Sequence, residues 1–153
     1  TTGVAKLKLN SWEAGILGEE QRRKDFVCWI RNPSRGSWAL CIPYEIDGET
    51  KPAYPDFIIV RTDDVLGYVI DILEPHNPQY KDNLGKAKGF AEYARQNPGV
   101  GRIQLIRMSQ DAAKNNRFKR LDMSKSAIRD KVSRAMSNDE LDHIFDSDGF
   151  FMD

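Results

Sequence analysis

Two acidic residues, Asp56 and Asp71, are set into apolar, strand-like runs. Asp56 opens Asp56-Phe57-Ile58-Ile59-Val60-Arg61 just after Pro55, and Asp71 interrupts Leu66-Gly67-Tyr68-Val69-Ile70-Asp71-Ile72-Leu73. A carboxylate on the buried part of a strand loses several kcal/mol of hydration unless a partner or a metal compensates. If both point to one place, two carboxylates about 4 Å apart repel by about 4 kcal/mol at an effective dielectric near 20. A divalent cation removes that conflict. The pair therefore predicts a metal site built across a hairpin, with Asp56 and Asp71 converging at one end of a sheet.

The elements that would position them follow from periodicity. Alternation places Val69, Asp71 and Leu73 on one strand face and Tyr68, Ile70 and Ile72 on the other, so Asp71 lies among apolar residues. Asn10-Ser11 caps a helix running to Lys24, with Trp12, Ile16 and Leu17 on one face. Glu13 and Glu20 border that stripe; each either faces the sheet or reaches solvent. Phe26 to Arg31 and Trp38 to Tyr44 predict a hairpin around Asn32-Pro33-Ser34-Arg35-Gly36. Asp47-Gly48-Glu49 turns the chain into the two strands that carry the aspartates, and Pro75-His76-Asn77-Pro78 ends strand structure.

From about Lys81 to Gln96, Leu84, Ala87, Phe90, Ala91 and Ala94 follow helical spacing. Lys88 falls on that apolar arc and Lys86 at its edge. A lysine on a covered face needs an anion, either the acidic cluster or a bound phosphate, unless its stem runs along the sheet and delivers the ammonium to water. Arg102 to Met108 alternates like a strand, Asp111 to Arg120 reads as a polar, basic loop, and helices are predicted over Ser124 to Ala135 and Asn138 to Phe145. The order predicts a mixed α/β (α+β) fold, a mixed sheet of about five strands flanked by helices. The crossover helix makes the fifth strand parallel to its neighbour.

Composition bounds the partners. The 153 residues fit one domain, 1–153, and 23 basic and 23 acidic residues cancel, so only the distribution of charge can favour a polyanion. No apolar run approaches the length of a membrane span and no signal-peptide core is present at Thr1-Thr2-Gly3, which points to no membrane partner and a cytoplasmic location. A start at Thr1 suggests a piece excised from a larger protein. Cys28 and Cys41 sit in apolar runs without companions, which predicts buried free thiols and not zinc.

Tyr54-Pro55-Asp56, then Tyr68-Val69-Ile70-Asp71, with a glutamate-bearing helix before and a crossover helix after, resemble the PD-(D/E)xK nuclease superfamily over roughly Ser11 to Met108. That likeness implies a restriction-endonuclease-like fold. Asp71-Ile72-Leu73-Glu74-Pro75-His76 and Asp82 to Ala94 further resemble nuclease-like C-terminal domains of superfamily 2 helicases of the type III restriction and phage-defence kind. The resemblance implies a deoxyribonuclease acting on DNA, associated with a helicase or ATPase domain of the same or a partner chain. It also implies Mg²⁺ or Mn²⁺ held by Asp56 and Asp71, the carbonyl of Ile72 as a further ligand, and Glu20, or second Glu13, as the helical glutamate. An oxygen-only donor set of this kind suits those hard cations.

One position departs from the family. Its lysine, two residues after the second acidic residue, falls here at Leu73. Either Lys88 or Lys86 has taken the role from the next helix, or Glu74-Pro75-His76 serves as the acidic-x-basic triplet, with His76 on the phosphate or the leaving group. Loss of that lysine also leaves open a module that keeps the fold and binds nucleic acid or a partner subunit without catalysis. Arg22, Arg23, Arg31 and Arg35, and Lys114, Arg117, Lys119 and Arg120, are the basic clusters that could meet phosphates, or simply solvated surface. The acidic, aromatic tail from Asp139 to Asp153 is a possible docking contact.

Overall fold

A computed structural model describes residues 7–153. Helix α1 (Ser11–Gln21) leads into β1 (Phe26–Arg31), β2 (Ile42–Ile46), β3 (Glu49–Ala53), β4 (Phe57–Asp63) and β5 (Gly67–Pro75). Helix α2 (Asn83–Gln96) crosses over to β6 (Ile103–Gln110), followed by β7 (Asn116–Asp122), α3 (Ser126–Arg134), α4 (Asn138–Asp148) and β8 (Phe150–Phe151). The main sheet has six strands in the order β1-β4-β5-β6-β7-β8; β2 and β3 pair separately. As the crossover predicts, β5 and β6 are parallel, and the other neighbours run antiparallel. The fold is thus mixed α/β, with more strands than the five expected.

Each sheet face has its own apolar layer. Ile16 and Leu17 of α1 pack on Phe57, Ile59, Leu73 and Ile106. On the other face Ile72, Ile103, Leu105 and Leu121 meet Ala87, Phe90, Ala91 and Ala94 of α2, with Ile128, Val132, Leu141 and Phe145 from α3 and α4. Each fully buried Val, Leu, Ile or Phe among them contributes roughly 1.5–3 kcal/mol by leaving water. Helix α2 covers Ile72 but leaves Ile70 and Tyr68, on the same strand face, exposed.

Three sequence expectations are corrected. The predicted hairpin of Phe26 to Arg31 with Trp38 to Tyr44 does not form, because β1 pairs with β4 and β2 pairs with β3. The stretch 111–120 is a loop only in its first part: from Asn116 it is strand β7, whose charged residues hid the pattern because their partners lie elsewhere in the chain. Cys28 and Cys41 are free but exposed, not buried. Within the C-terminal tail Phe145 is fully buried, and Phe150 and Phe151 form β8 against β7.

Two local features place the helices. Asn10 and Glu13 form a reciprocal capping box, each side chain accepting from the other's backbone amide at 2.9 Å, which fixes the entry of α1 and aims Glu13 inward. Helix α2 lies against β2 at Gly85 and Gly89; a Cβ at Gly89 would sit 2.6 Å from the Pro43 carbonyl oxygen. That close approach, with the Tyr44 hydroxyl donating to Asp82 at 2.7 Å, fixes the rotation of α2 and hence where Lys86 points.

Candidate functional site

Asp71 is fully buried, on the strand face alternation predicts, but its partners are arginines. Its two oxygens accept from Nε of Arg61 (2.5 Å) and Nη2 of Arg61 (3.1 Å), and from the backbone amide (2.7 Å), Nε (3.0 Å) and Nη2 (2.7 Å) of Arg102. Those contacts exceed the roughly four lone-pair directions of a carboxylate, so none remains for a cation. Glu20, also fully buried, accepts from Arg102 at 2.6 and 3.2 Å and from Arg120 at 2.6 Å; Arg120 also reaches Glu19 at 2.7 Å. Burial would lower the pKa of Arg102, but its hydrogen bonds to Glu20 and Asp71 outweigh burial and push it up. The network joins α1 to β4, β5, β6 and β7 around one buried chain of alternating charge.

The register does not let Asp56 and Asp71 converge. Phe57 sits opposite Leu73 and Ile59 opposite Asp71, which brings Asp56 to Glu74 instead. The Asp56 amide donates to Glu74 Oε2 at 3.0 Å, and Lys86 Nζ donates to Glu74 Oε1 at 3.3 Å. Arg31 joins the group from β1, 2.8 Å from Glu13 and 3.8 Å from the Asp56 carboxylate. Glu13, the second-ranked helical glutamate, therefore reaches this cluster, whereas Glu20 belongs to the arginine network. Ile72 lies within the ladder opposite Ile58, its side chain in the α2-side core.

Burial pushes the Glu74 carboxyl up to about 7; Lys86 opposes that shift and the Asp56 charge adds to it. Asp56 is also raised, by burial above all, with Arg31 pulling it down and Glu13 pushing it up. Three carboxyl groups, Glu13, Asp56 and Glu74, thus share two cations, Arg31 and Lys86, and burial keeps part of Glu74 neutral near pH 7. Among the described residues no three His, Cys, Asp or Glu side chains are gathered as a ready metal cage. Asp56 and Glu74 are the acidic residues brought together here, through the Asp56 backbone amide on the Glu74 carboxylate, and a Mg²⁺-type ion is a cation that takes one or two carboxylates and completes its shell with water and phosphate oxygens.

His76 is two residues past Glu74 and buried, with neither ring nitrogen hydrogen-bonded among the described residues. It stacks on Phe145 with centroids 5.4 Å apart. Burial, with Arg107 and Lys86 nearby, lowers its pKa to about 4, so it is neutral near pH 7. Lys88, placed on the apolar arc by periodicity, is half-buried and makes no ion pair among the described residues; the helix-edge Lys86 is the one that meets the acidic group.

Sequence alone does not single out Arg61 or Arg102. Arg61 follows Phe57 and Ile59 at period two, on the α1 face of β4, and an inward arginine there signals an acidic partner across the ladder. Beside the Asp56 cluster a cleft of about 320 Å³ is lined by Asn10, Ser11, Trp12, Asp56, Pro75, Asn77 and Tyr80.

Known proteins give this chain a family. The model for the YagJ family matches residues 1–150. Protein YagJ of Escherichia coli (strain K12) is similar at 30% identity over 134 residues, covering 87% of this chain and 53% of that protein. The chain thus spans about half the length of the curated relative it matches. No solved structure matches it. With a family model covering nearly its whole length, the chain belongs to the YagJ family.

Proposed function

We propose that the chain is a divalent-cation-dependent nuclease domain whose active site is Asp56, Glu74 and Lys86, with Glu13 and Arg31 beside them. The observation that carries this is the amide of Asp56 on Glu74 at 3.0 Å with Lys86 at 3.3 Å: two carboxylates and a lysine at one end of paired strands. This is the shifted form of the PD-(D/E)xK resemblance, with Glu74 in place of Asp71 and Lys86, from the next helix, in place of the lysine that Leu73 replaces. Mg²⁺ or Mn²⁺ bound by Asp56 and Glu74 would activate water and stabilise charge on the phosphate. Lys86 holds the Glu74 carboxylate and would offer its ammonium to the phosphate. Arg31 links Glu13 to Asp56 and fixes their spacing. DNA is the proposed substrate, and a helicase or ATPase domain the proposed partner.

The test is cleavage of plasmid and single-stranded DNA with Mg²⁺ or Mn²⁺, before and after Glu74→Gln. Cleavage lost in the variant supports the assignment; intact DNA with both metals in the native chain overturns it.

A second reading, a nucleic-acid-binding module without hydrolysis, is favoured by one observation: Lys86, 3.3 Å away, already neutralises part of Glu74. DNA affinity unchanged by Asp56→Asn and by chelator, together with no cleavage, would select it.

A further inference from the structure

The cleft onto which Asp56 opens has a wall that the acidic residues do not form. Trp12, from the first turn of α1, and Tyr80, from the β5–α2 connection, line it with Asn10, Ser11, Pro75 and Asn77 around about 320 Å³. Trp12 is held by an edge-to-face contact with Phe118, ring centroids 6.3 Å apart, whereas Tyr80 is 58% exposed. Neither the Trp12 indole nor the Tyr80 hydroxyl has a hydrogen-bond partner among the described residues.

The two asparagines are oriented by the backbone. Asn10 Oδ1 accepts from the Glu13 amide at 2.9 Å and Asn77 Oδ1 from the Gln79 amide at 3.0 Å. With both oxygens engaged, the two amide NH₂ groups are the donors left to a ligand. The cleft therefore offers two aromatic side chains and fixed donors to one flat ring with carbonyl acceptors, beside a carboxylate flanked by Arg31.

We infer that this cleft is a subsite for one unpaired nucleotide of a single strand, its base against Trp12 and Tyr80. The choice of ligand rests on the proposed hydrolytic reading of Asp56 and Glu74. The volume suits one nucleotide and not a base pair, being at the small end of ligand pockets. A paired base keeps both faces stacked on its neighbours and must leave the duplex to meet a protein ring, whereas a single strand exposes its π-faces at little cost.

The test is the affinity of fluorescently labelled oligo(dT), and of duplex DNA of the same length, for the full chain in EDTA, read by anisotropy. The expected result is single-strand binding at least about tenfold tighter than duplex binding, weakened about tenfold by Tyr80→Ala and by Trp12→Ala, the scale of one lost stacking platform. Quenching of the Trp12 share of fluorescence by oligo(dT), absent in Trp12→Phe, reports the same contact. Equal affinity for the two forms, or unchanged affinity in Tyr80→Ala, overturns the subsite; Tyr80 is exposed, so that variant keeps its fold. The measurement needs no cleavage. Strand-selective, Tyr80-dependent binding without hydrolysis in Mg²⁺ or Mn²⁺ removes the nuclease reading and leaves the subsite, while cleavage by a chain whose Tyr80→Ala form binds normally removes the subsite alone.

Discussion

The backbone amide of Asp56 donates to the carboxylate of Glu74 across 3.0 Å, while Asp71, on the same strand as Glu74, gives its oxygens to Arg61 and Arg102. Two acidic residues of one strand therefore have opposite relations to charge. Asp71 is saturated, and Glu74 shares one lysine with a carboxylate-rich neighbourhood.

Glu74→Gln and Asp56→Asn should each lower metal-dependent DNA cleavage by about 100-fold or more, since each removes an anionic oxygen donor without a change of shape. Melting temperatures should stay within a few degrees of the native value or rise for Glu74→Gln, because a neutral amide suits that buried position better than a carboxylate. Plasmid nicking in Mn²⁺ beside a thermal melt checks both halves.

Asp71→Asn should act on stability instead. Removing the charge of this buried, hydrogen-bonded group leaves Arg61 with only Asp25, at 3.4 Å, and Arg102 with only Glu20, at a cost of about 3 kcal/mol. Urea unfolding measures it. A Glu20→Gln, Asp71→Asn double variant should cost more than the sum of the singles, because each single leaves Arg102 one carboxylate and the double leaves it none. Full additivity would mean that the two act independently.

Much of the fold was legible, and the site only by halves. Alternation placed Asp71 on the covered face, and the crossover between β5 and β6 followed from the helix between them. What periodicity cannot give is register. Whether Asp56 faces Asp71 or Glu74 depends on where the β4–β5 turn falls, and a difference of three residues along β5 separates the two answers. Arginines concealed the rest. Arg120 looks like solvated surface in sequence, yet it is fully buried because Glu19 and Glu20, a hundred positions earlier, meet it there. Long-range charge compensation of this kind leaves no local signature, and it is also why β7 reads as a loop.

Gly101 precedes Arg102, and a side chain there would collide with the Asp71 carboxylate and crowd Arg61. Gly101→Ala should therefore destabilise the chain by about 1–3 kcal/mol, the usual range for overpacking a filled interior. Its φ is not in the left-handed region, so the loss would come from contact and not from backbone strain. Restoring stability by shortening Asp71 is not expected, since that re-exposes two arginines. Denaturant midpoints of Gly101→Ala, alone and with Asp71→Ala, check this.

Stability should also depend on pH through His76. Its folded pKa, about 4, lies below the ordinary 6.5, chiefly because burial disfavours the imidazolium, with Arg107 and Lys86 adding repulsion against the opposing pull of Asp142 and Asp82. Between those two values the unfolded chain binds more protons than the folded one, so His76 makes stability rise as pH goes from about 4 to about 6.5. Glu74 acts in the reverse sense. Its folded pKa, near 7 against an ordinary 4.5, makes the folded chain the better proton binder, and stability falls as pH climbs through that window. The two slopes oppose each other over most of pH 4.5 to 6.5, which leaves the joint contribution of His76 and Glu74 nearly flat there in the absence of metal. Substitution should separate them. His76→Phe, which keeps a ring against Phe145, should leave a stability that declines from about pH 4.5 to 7, and Glu74→Gln one that rises from about pH 4 to 6.5. Urea unfolding in EDTA across that range tests the pair. Parallel curves for the two variants would mean that neither group carries the assigned linkage, whereas slopes of opposite sign would show both.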